Sequence, residues 1–426
     1  MVQAELKTNR LSGYLVPRSD VHQGEYVAAC DERLSWLTGF TGSAGICVVG
    51  KDSAGIFVDG RYSIQARKQT KSTFEIVQWD KENFFQWIEK NIEKGKIGFD
   101  PWLHSYKEII SLSEAFAHTD ISFAPSENLI DKVWLNRPAK TSSKAINYPA
   151  ELAGLSAKEK CQKITENIKF KKANSAVITL PDSIAWLLNL RGNDVIHNPI
   201  LHAFLIIDSE GNVKIFCNNG NLLHSISSLK SFVKVFPMEN FETTLAELSG
   251  SVLMDETTAP FAAVKILQAN GSEPMMGEDP IILPKACKNP VELRHARICH
   301  KRDAVHMCEF LSWLDKQNEN EFDEIDVVIE LENFRRKDKN LKEISFDTIA
   351  ASGPNAALPH YRVNYSSNRT IKTGDVLLVD SGGQYLDGTT DITRTIAIGK
   401  QRKEVKNAFT RVLKGLIAIS KLKFPS

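Results

Sequence analysis

An α/β fold in three parts is predicted by three features of the chain. Apolar, β-branched runs alternate with helical stretches, one such layout occurs twice, and an acidic strand–turn–strand lies near the end. In the first part, residues 14–16, 46–49 and 56–59 read as strands, the last two as a hairpin. A helix is expected around residues 31–37, and Gly60-Arg61-Tyr62 leads into another. Asp100-Pro101-Trp102 reads as a helix start with proline in its first turn. The glycine-rich stretch 39–45 lacks the G-x-G-x-x-G spacing and runs into a strand, so it reads as a loop and not a nucleotide site.

The second part repeats the first. Each copy has a strand with Pro and Asp near its end (Pro17 and Asp20; Pro181 and Asp182), a Leu/Trp-rich helix, a glycine loop and a two-strand hairpin. That pattern predicts an internal duplication. Ser156 and Glu159 have capping-box spacing, so a helix starts there. His197, in this copy, reads as a hydrogen-bonded loop residue. Pro284 and Pro290 mark the next boundary, and Asn289 is the expected N-cap of a long helix with Pro290 at N1 and Glu292 at N3. Val305, Phe310, Leu311 and Leu314 form its expected core stripe. His295 and Cys299, one turn apart, are a legal zinc pair but fit an ordinary core helix better. A second amphipathic helix spans 322–339. The predicted domains are 1–138, 139–286 and 287–426.

Within the third part, Asp375-Val-Leu-Leu-Val-Asp380 reads as a buried strand ending on a carboxylate. Leu386-Asp387-Gly388 supplies a turn, with Asp387 as its local cap, and residues 389–395 return. Asp380 and Asp391 then lie opposite or diagonal on one face, about 5–8 Å apart at Cβ. Two carboxylates that close repel unless a proton or a cation sits between them, and a divalent metal pair resolves the repulsion.

Composition narrows the function classes. With 53 Lys and Arg against 52 Asp and Glu, the formal charge of +1 argues against nucleic acid or an anionic membrane as partner. No apolar run approaches a membrane span, and the N-terminus lacks a secretory apolar stretch. Seven scattered cysteines without a C-x-x-C pair read as free thiols in a reducing, cytoplasmic setting.

The hairpin Val-Asp380-Ser-Gly-Gly-Gln-Tyr-Leu-Asp-Gly-Thr-Thr-Asp391-Ile-Thr-Arg-Thr resembles the first metal-ligand motif of the Xaa-Pro aminopeptidases. These belong to the creatinase/prolidase/methionine-aminopeptidase class. Ser345-Phe-Asp-Thr-Ile-Ala-Ala-Ser-Gly-Pro-Asn-Ala-Ala-Leu-Pro-His360-Tyr is similar to the segment that holds their catalytic histidine, 20 residues before the first aspartate. The resemblance implies two creatinase-type domains followed by a pita-bread catalytic domain. It implies Asp380 and Asp391 as metal ligands, and His360 as hydrogen-bond donor to the scissile carbonyl or the tetrahedral intermediate. The implied cofactor is two divalent cations, with Mn²⁺ favoured over Zn²⁺ by oxygen ligation and Zn²⁺ or Co²⁺ as alternatives. The implied substrate is a peptide with proline second, and the implied assembly a homodimer. Arg394 is either a partner of an aspartate or a surface residue. The family's remaining ligands, one His and two Glu, have no counterpart after Asp391. The expectation is therefore an incomplete, C-terminally truncated pita-bread domain with impaired activity. The amphipathic stretch 402–422, with Phe409, Val412, Leu413, Leu416 and Ile417 on one side, would lack part of its packing surface. Creatinase-like or prolidase-like hydrolysis, or a non-catalytic binding module, are the alternative readings.

Overall fold

Two six-stranded mixed sheets of the same strand order occupy residues 1–295. The computed structural model describes residues 1–218, 227–318 and 321–424, which divide into units 1–295 and 296–426. In the first sheet, β1 (Gly13–Pro17), β2 (Ile46–Gly50) and β3 (Ala54–Val58) form an antiparallel meander. β4 (Glu75–Gln78), β5 (Gly95–Phe99) and β6 (Ile121–Pro125) add in parallel, in the order β4-β3-β2-β1-β5-β6. In the second sheet, β7 (Ser175–Ile178), β8 (Ala203–Asp208) and β9 (Val213–Cys217) repeat the meander. β10 (Val233–Phe236), β11 (Ser251–Met254) and β12 (Glu273–Met276) repeat the parallel additions. The order β10-β9-β8-β7-β11-β12 is that of the first sheet. Short turns can join only antiparallel neighbours; the parallel strands arrive by way of helices, which cover the sheet faces.

Local sequence explains most element ends. Ser156 and Glu159 form the expected capping box on the helix Ala157–Phe170. Arg33–Thr38 stops at Gly39, whose φ of +87° and close approach to the Gln69 carbonyl oxygen exclude a side chain. Residues 39–45 are loop, as read. The helix expected at Pro101 begins instead at Tyr106. Asp100 Oδ1 accepts from the Trp102 amide at 2.9 Å and closes a turn, leaving Ser105 to cap the helix through the Glu108 amide at 3.2 Å.

A buried polar cluster joins the two copies. His22, at the end of the first strand–loop, stacks on His202 with ring centroids 4.8 Å apart, and His202 Nε2 lies 3.4 Å from Asp20 Oδ2. Burial holds the His22 imidazole down to about 4, while Asp20 raises His202 against the effect of burial. The depressed His22 is protonated more readily in the unfolded chain. Its contribution is therefore complete above about pH 6.5 and is lost as pH falls toward 4. The raised His202 works in the opposite sense, but its contribution is complete below about pH 6.5 and is lost only as pH rises, so the decline between pH 6.5 and 4 belongs to His22. The urea midpoint of residues 1–295 should fall between pH 6.5 and 4, and His22→Gln should flatten that decline; an equally steep decline in the variant contradicts the assignment.

In residues 296–426 the long helix Pro290–Leu314 begins at Asn289, whose Oδ1 accepts from the Val291 and Glu292 amides at 2.9 and 3.0 Å. Its buried stripe differs from expectation. Cys299, Asp303, Met307, Phe310 and Leu314 face inward, whereas Val305 is 56 % exposed. A charged residue occupies the stripe because its partner is buried with it. Met307, Phe310 and Leu314 pack with Val327 and Leu331 of the helix Glu324–Arg336, and with Leu377 and Val379. Two three-stranded sheets complete the unit. β13 (Leu341–Ile344), β16 (Gly383–Tyr385) and β17 (Gly388–Thr389) form one; β14 (Ile349–Ser352), β15 (Val376–Ser381) and β18 (Ile392–Ala397) form the other. The helix Lys403–Ser420 has no buried residue, and Phe409, Val412, Leu413, Leu416 and Ile417 are all exposed. Among the described residues no helix is long and apolar enough to cross a membrane. All seven cysteines are free thiols.

Candidate metal centre

β15 alternates as its sequence requires. Leu377, Val379 and Ser381 point into the core, while Leu378 and Asp380 share the opposite face. One register carries the hairpin through both sheets: Asp380↔Thr393 and Ser381↔Ile392, then Gln384↔Thr389 and Tyr385↔Gly388 around the two-residue turn Leu386-Asp387. Asp391 therefore stands opposite Gly382 and diagonal to Asp380 on the same face. Thr393 Oγ1 donates to Asp380 Oδ1 at 2.8 Å. The Asp391 carboxyl is raised by partial desolvation, then by the charge of Asp380 and a hydrogen bond between the two carboxyls. The pair thus bears the like-charge repulsion that its spacing predicts.

Among the described residues no arginine is paired with either carboxylate. Arg394 is exposed and donates to the Thr393 carbonyl at 2.8 Å. Arg335, whose charge slightly lowers Asp391, is bound to Asp303: Nε to Oδ1 at 2.8 Å, with both side chains fully buried. Tyr385 Oη donates to the same Asp303 Oδ1 at 2.6 Å. Burial alone would raise Asp303, but the Arg335 hydrogen bonds and charge outweigh it and hold the carboxyl below the usual range. Asp303 also hydrogen-bonds Thr390, the residue before Asp391, so this buried pair supports the hairpin from beneath. Asp387, expected as a local turn cap, binds the Arg302 guanidinium with both oxygens, at 3.0 and 2.6 Å. The turn is thereby fixed to the long helix.

His360 lies in the segment that leaves β14 through the turn Gly353–Ala357. β14 pairs with β15, placing Ile349 opposite Asp380 and Ala351 opposite Leu378. Tyr361 packs against Ile349, Ala351 and Leu378, on the sheet face that bears Asp380. The segment carrying His360 is thus laid over the face from which both aspartates project.

Two carboxylates on one face, with mutual repulsion and no Lys or Arg partner among the described residues, suit a hard divalent cation. No group of three or more His, Cys, Asp and Glu side chains placed for a metal occurs among the described residues. The sequence reading missed Asp303, Arg335 and Tyr385 altogether. The only signal was an aspartate on an otherwise apolar helix stripe.

The Creatinase/Prolidase N-terminal domain family matches residues 1–133, a second family of that description matches 136–292, and Metallopeptidase family M24 matches 294–426. A Talaromyces marneffei protein named "Probable Xaa-Pro aminopeptidase P" is 37% identical over 439 residues, covering 99% of this chain and 67% of its own length. A Coccidioides posadasii protein of the same name is also 37% identical, with 99% and 72% covered. The crystal structure of an X-prolyl aminopeptidase from Caenorhabditis elegans, described as a cytosolic enzyme with a di-nuclear active site, superposes with a TM-score of 0.86 at 31% identity. It covers 92% of this chain and 66% of that one. The chain thus spans about two thirds of the length of these relatives. Its repeated N-terminal sheets, its paired aspartates and its likeness along nearly the whole sequence agree: the chain belongs to the Xaa-Pro aminopeptidases of metallopeptidase family M24.

Proposed function

We propose that this chain carries part of a metal-dependent centre that releases an N-terminal residue preceding proline, with Asp380 and Asp391 as cation ligands. The observation that supports it is the single hairpin register that sets both carboxylates on one face and raises Asp391. When bound, the cation pair would lower the pKa of a water and polarise the scissile carbonyl. The oxygen donors favour Mn²⁺ over Zn²⁺. Asp380 is oriented by Thr393, whose hydroxyl donates to Oδ1. His360, on the segment over the same sheet face, donates a hydrogen bond to the carbonyl oxygen as charge develops there. Because the prolyl nitrogen bears no hydrogen, the scissile amide is sterically distinct and selectable by shape. Its free thiols and the cytosolic relative support a cytoplasmic location.

Mn²⁺ titration and X-Pro peptide cleavage, run on this chain and on Asp380→Ala, test the reading. The variant should lose cleavage and bind Mn²⁺ at least about tenfold more weakly. Equal binding and equal cleavage in the two chains would remove the metal assignment.

A further inference from the structure

Glu324, the first residue of the helix Glu324–Arg336, is a fully buried carboxylate without an arginine or lysine partner among the described residues. An isolated buried charge is costly unless dipoles replace its water. Four donors do so here. The Ser352 amide reaches Oε1 at 2.7 Å and Ser352 Oγ at 3.0 Å. Asn355 Nδ2 bridges both oxygens at 3.1 and 3.0 Å, and Tyr361 Oη donates to Oε2 at 2.8 Å. The helix N-terminus adds its positive dipole end.

These donors stand at the start, middle and end of one segment, 352–361, which contains His360. Further bonds brace the same points: Arg369 Nη1 reaches Ser352 Oγ at 2.8 Å, and Ser367 Oγ lies 3.0 Å from Tyr361 Oη. Tyr361 is pushed up to about 12 by burial, and the Glu324 carboxylate adds to the shift. The loop has almost no regular structure of its own beyond the turn Gly353–Ala357, so the carboxylate takes the place of a sheet or helix ladder.

We infer that Glu324 is the positioning residue for His360: its single carboxylate, by holding Ser352, Asn355 and Tyr361 together, fixes where the intervening histidine is presented. The consequence for turnover rests on the function proposed above; the consequence for His360 itself does not.

Glu324→Gln keeps the size but, with its amide nitrogen at the Oε2 position, cannot receive the Tyr361 bond and leaves Asn355 only its bond to Oε1. Hydrogen exchange of amides 353–361 should accelerate, and the His360 imidazole ¹⁵N signals, identified by their absence in His360→Gln, should shift. For X-Pro peptides with Mn²⁺, kcat should fall on the order of tenfold to a hundredfold with KM little changed. Glu324→Asp, which retains the charge, should restore part of each effect. If Glu324→Gln does not fold, Tyr361→Phe removes one donor with little change in packing and should give the same local signature. Unchanged exchange and His360 signals would overturn the inference, as would a uniform loss of protection across residues 296–424 with no excess in 353–361. Should the unsubstituted chain cleave no X-Pro peptide, the functional reading fails, while exchange and the imidazole signals still decide the role of Glu324.

Discussion

Arg335→Leu should destabilise residues 296–426 by about 3–5 kcal/mol at pH 7, because it strands a buried carboxylate without its counter-charge. Both Asp303 and Arg335 are 0 % exposed, so no water compensates the loss. Tyr385 would remain as a donor to Asp303, but one neutral hydroxyl does not replace a guanidinium. The pH dependence separates this cause from simple loss of packing. In the unsubstituted chain the Asp303 carboxyl is depressed, so its contribution is present above the unfolded value near 3.9 and is lost as pH falls through the folded value. In Arg335→Leu only burial is left to act strongly, and it raises the carboxyl. The deficit should then narrow as pH falls toward 4, where protonation neutralises Asp303. Replacing both partners, as Asp303→Leu with Arg335→Met, should recover much of the stability, since two apolar groups leave no orphaned charge. Urea unfolding at pH 7 and pH 4.5, followed by hydrogen exchange in residues 296–424, measures each case. A deficit that stays constant with pH would show that volume, not charge, sets the effect.

What the sequence could show follows from how far apart the interacting residues are. The Ser156 and Asn289 caps were legible because cap and acceptor lie within one helical turn. The acidic hairpin was legible because a short turn near Leu386 sets the register of everything flanking it, which put Asp391 opposite or diagonal to Asp380 on one face; the register then makes it diagonal. The duplication was legible because the sheets repeat strand by strand. Interactions across long separations left no such trace. Asp303 meets Arg335 from 32 residues away and Tyr385 from 82, and Glu324 meets Tyr361 from 37. A period-3.6 search for apolar residues chose Val305 for the helix stripe and passed over Asp303, because it scores side chains singly and cannot score a pair. The Arg302 partner of Asp387 escaped notice for a related reason: local capping is visible in a tetrapeptide, whereas an arginine 85 residues earlier is not.

The hairpin makes one further demand that residue types alone conceal. Gly382 faces Asp391 across the register, and a Cβ there would lie inside van der Waals contact of both the Thr390 carbonyl oxygen and Ser345 Oγ. Those atoms cannot easily retreat. Ser345 Oγ donates to that same carbonyl at 3.0 Å, the Ser345 amide donates to the Gly382 carbonyl at 3.1 Å, and Gly383 and Thr390 exchange bonds at 3.0 and 2.9 Å. Gly382→Ala should therefore part the strands at the point between the two aspartates. A cost of about 1–3 kcal/mol is expected from overpacking. The larger effect should be on the cation: Asp391 follows Thr390 directly, so displacing Thr390 moves one carboxylate while Asp380, on the other strand, stays. Mn²⁺ affinity should fall as far as in Asp380→Ala, although both acidic side chains remain. Gly415→Ala is the matched control, since nothing lies within 4 Å of its Cβ position in the helix Lys403–Ser420. There the substitution should stabilise by about 0.5–1 kcal/mol through helix propensity and leave Mn²⁺ binding unchanged. Undiminished Mn²⁺ affinity in Gly382→Ala would mean that the relative placement of the two aspartates does not govern the site.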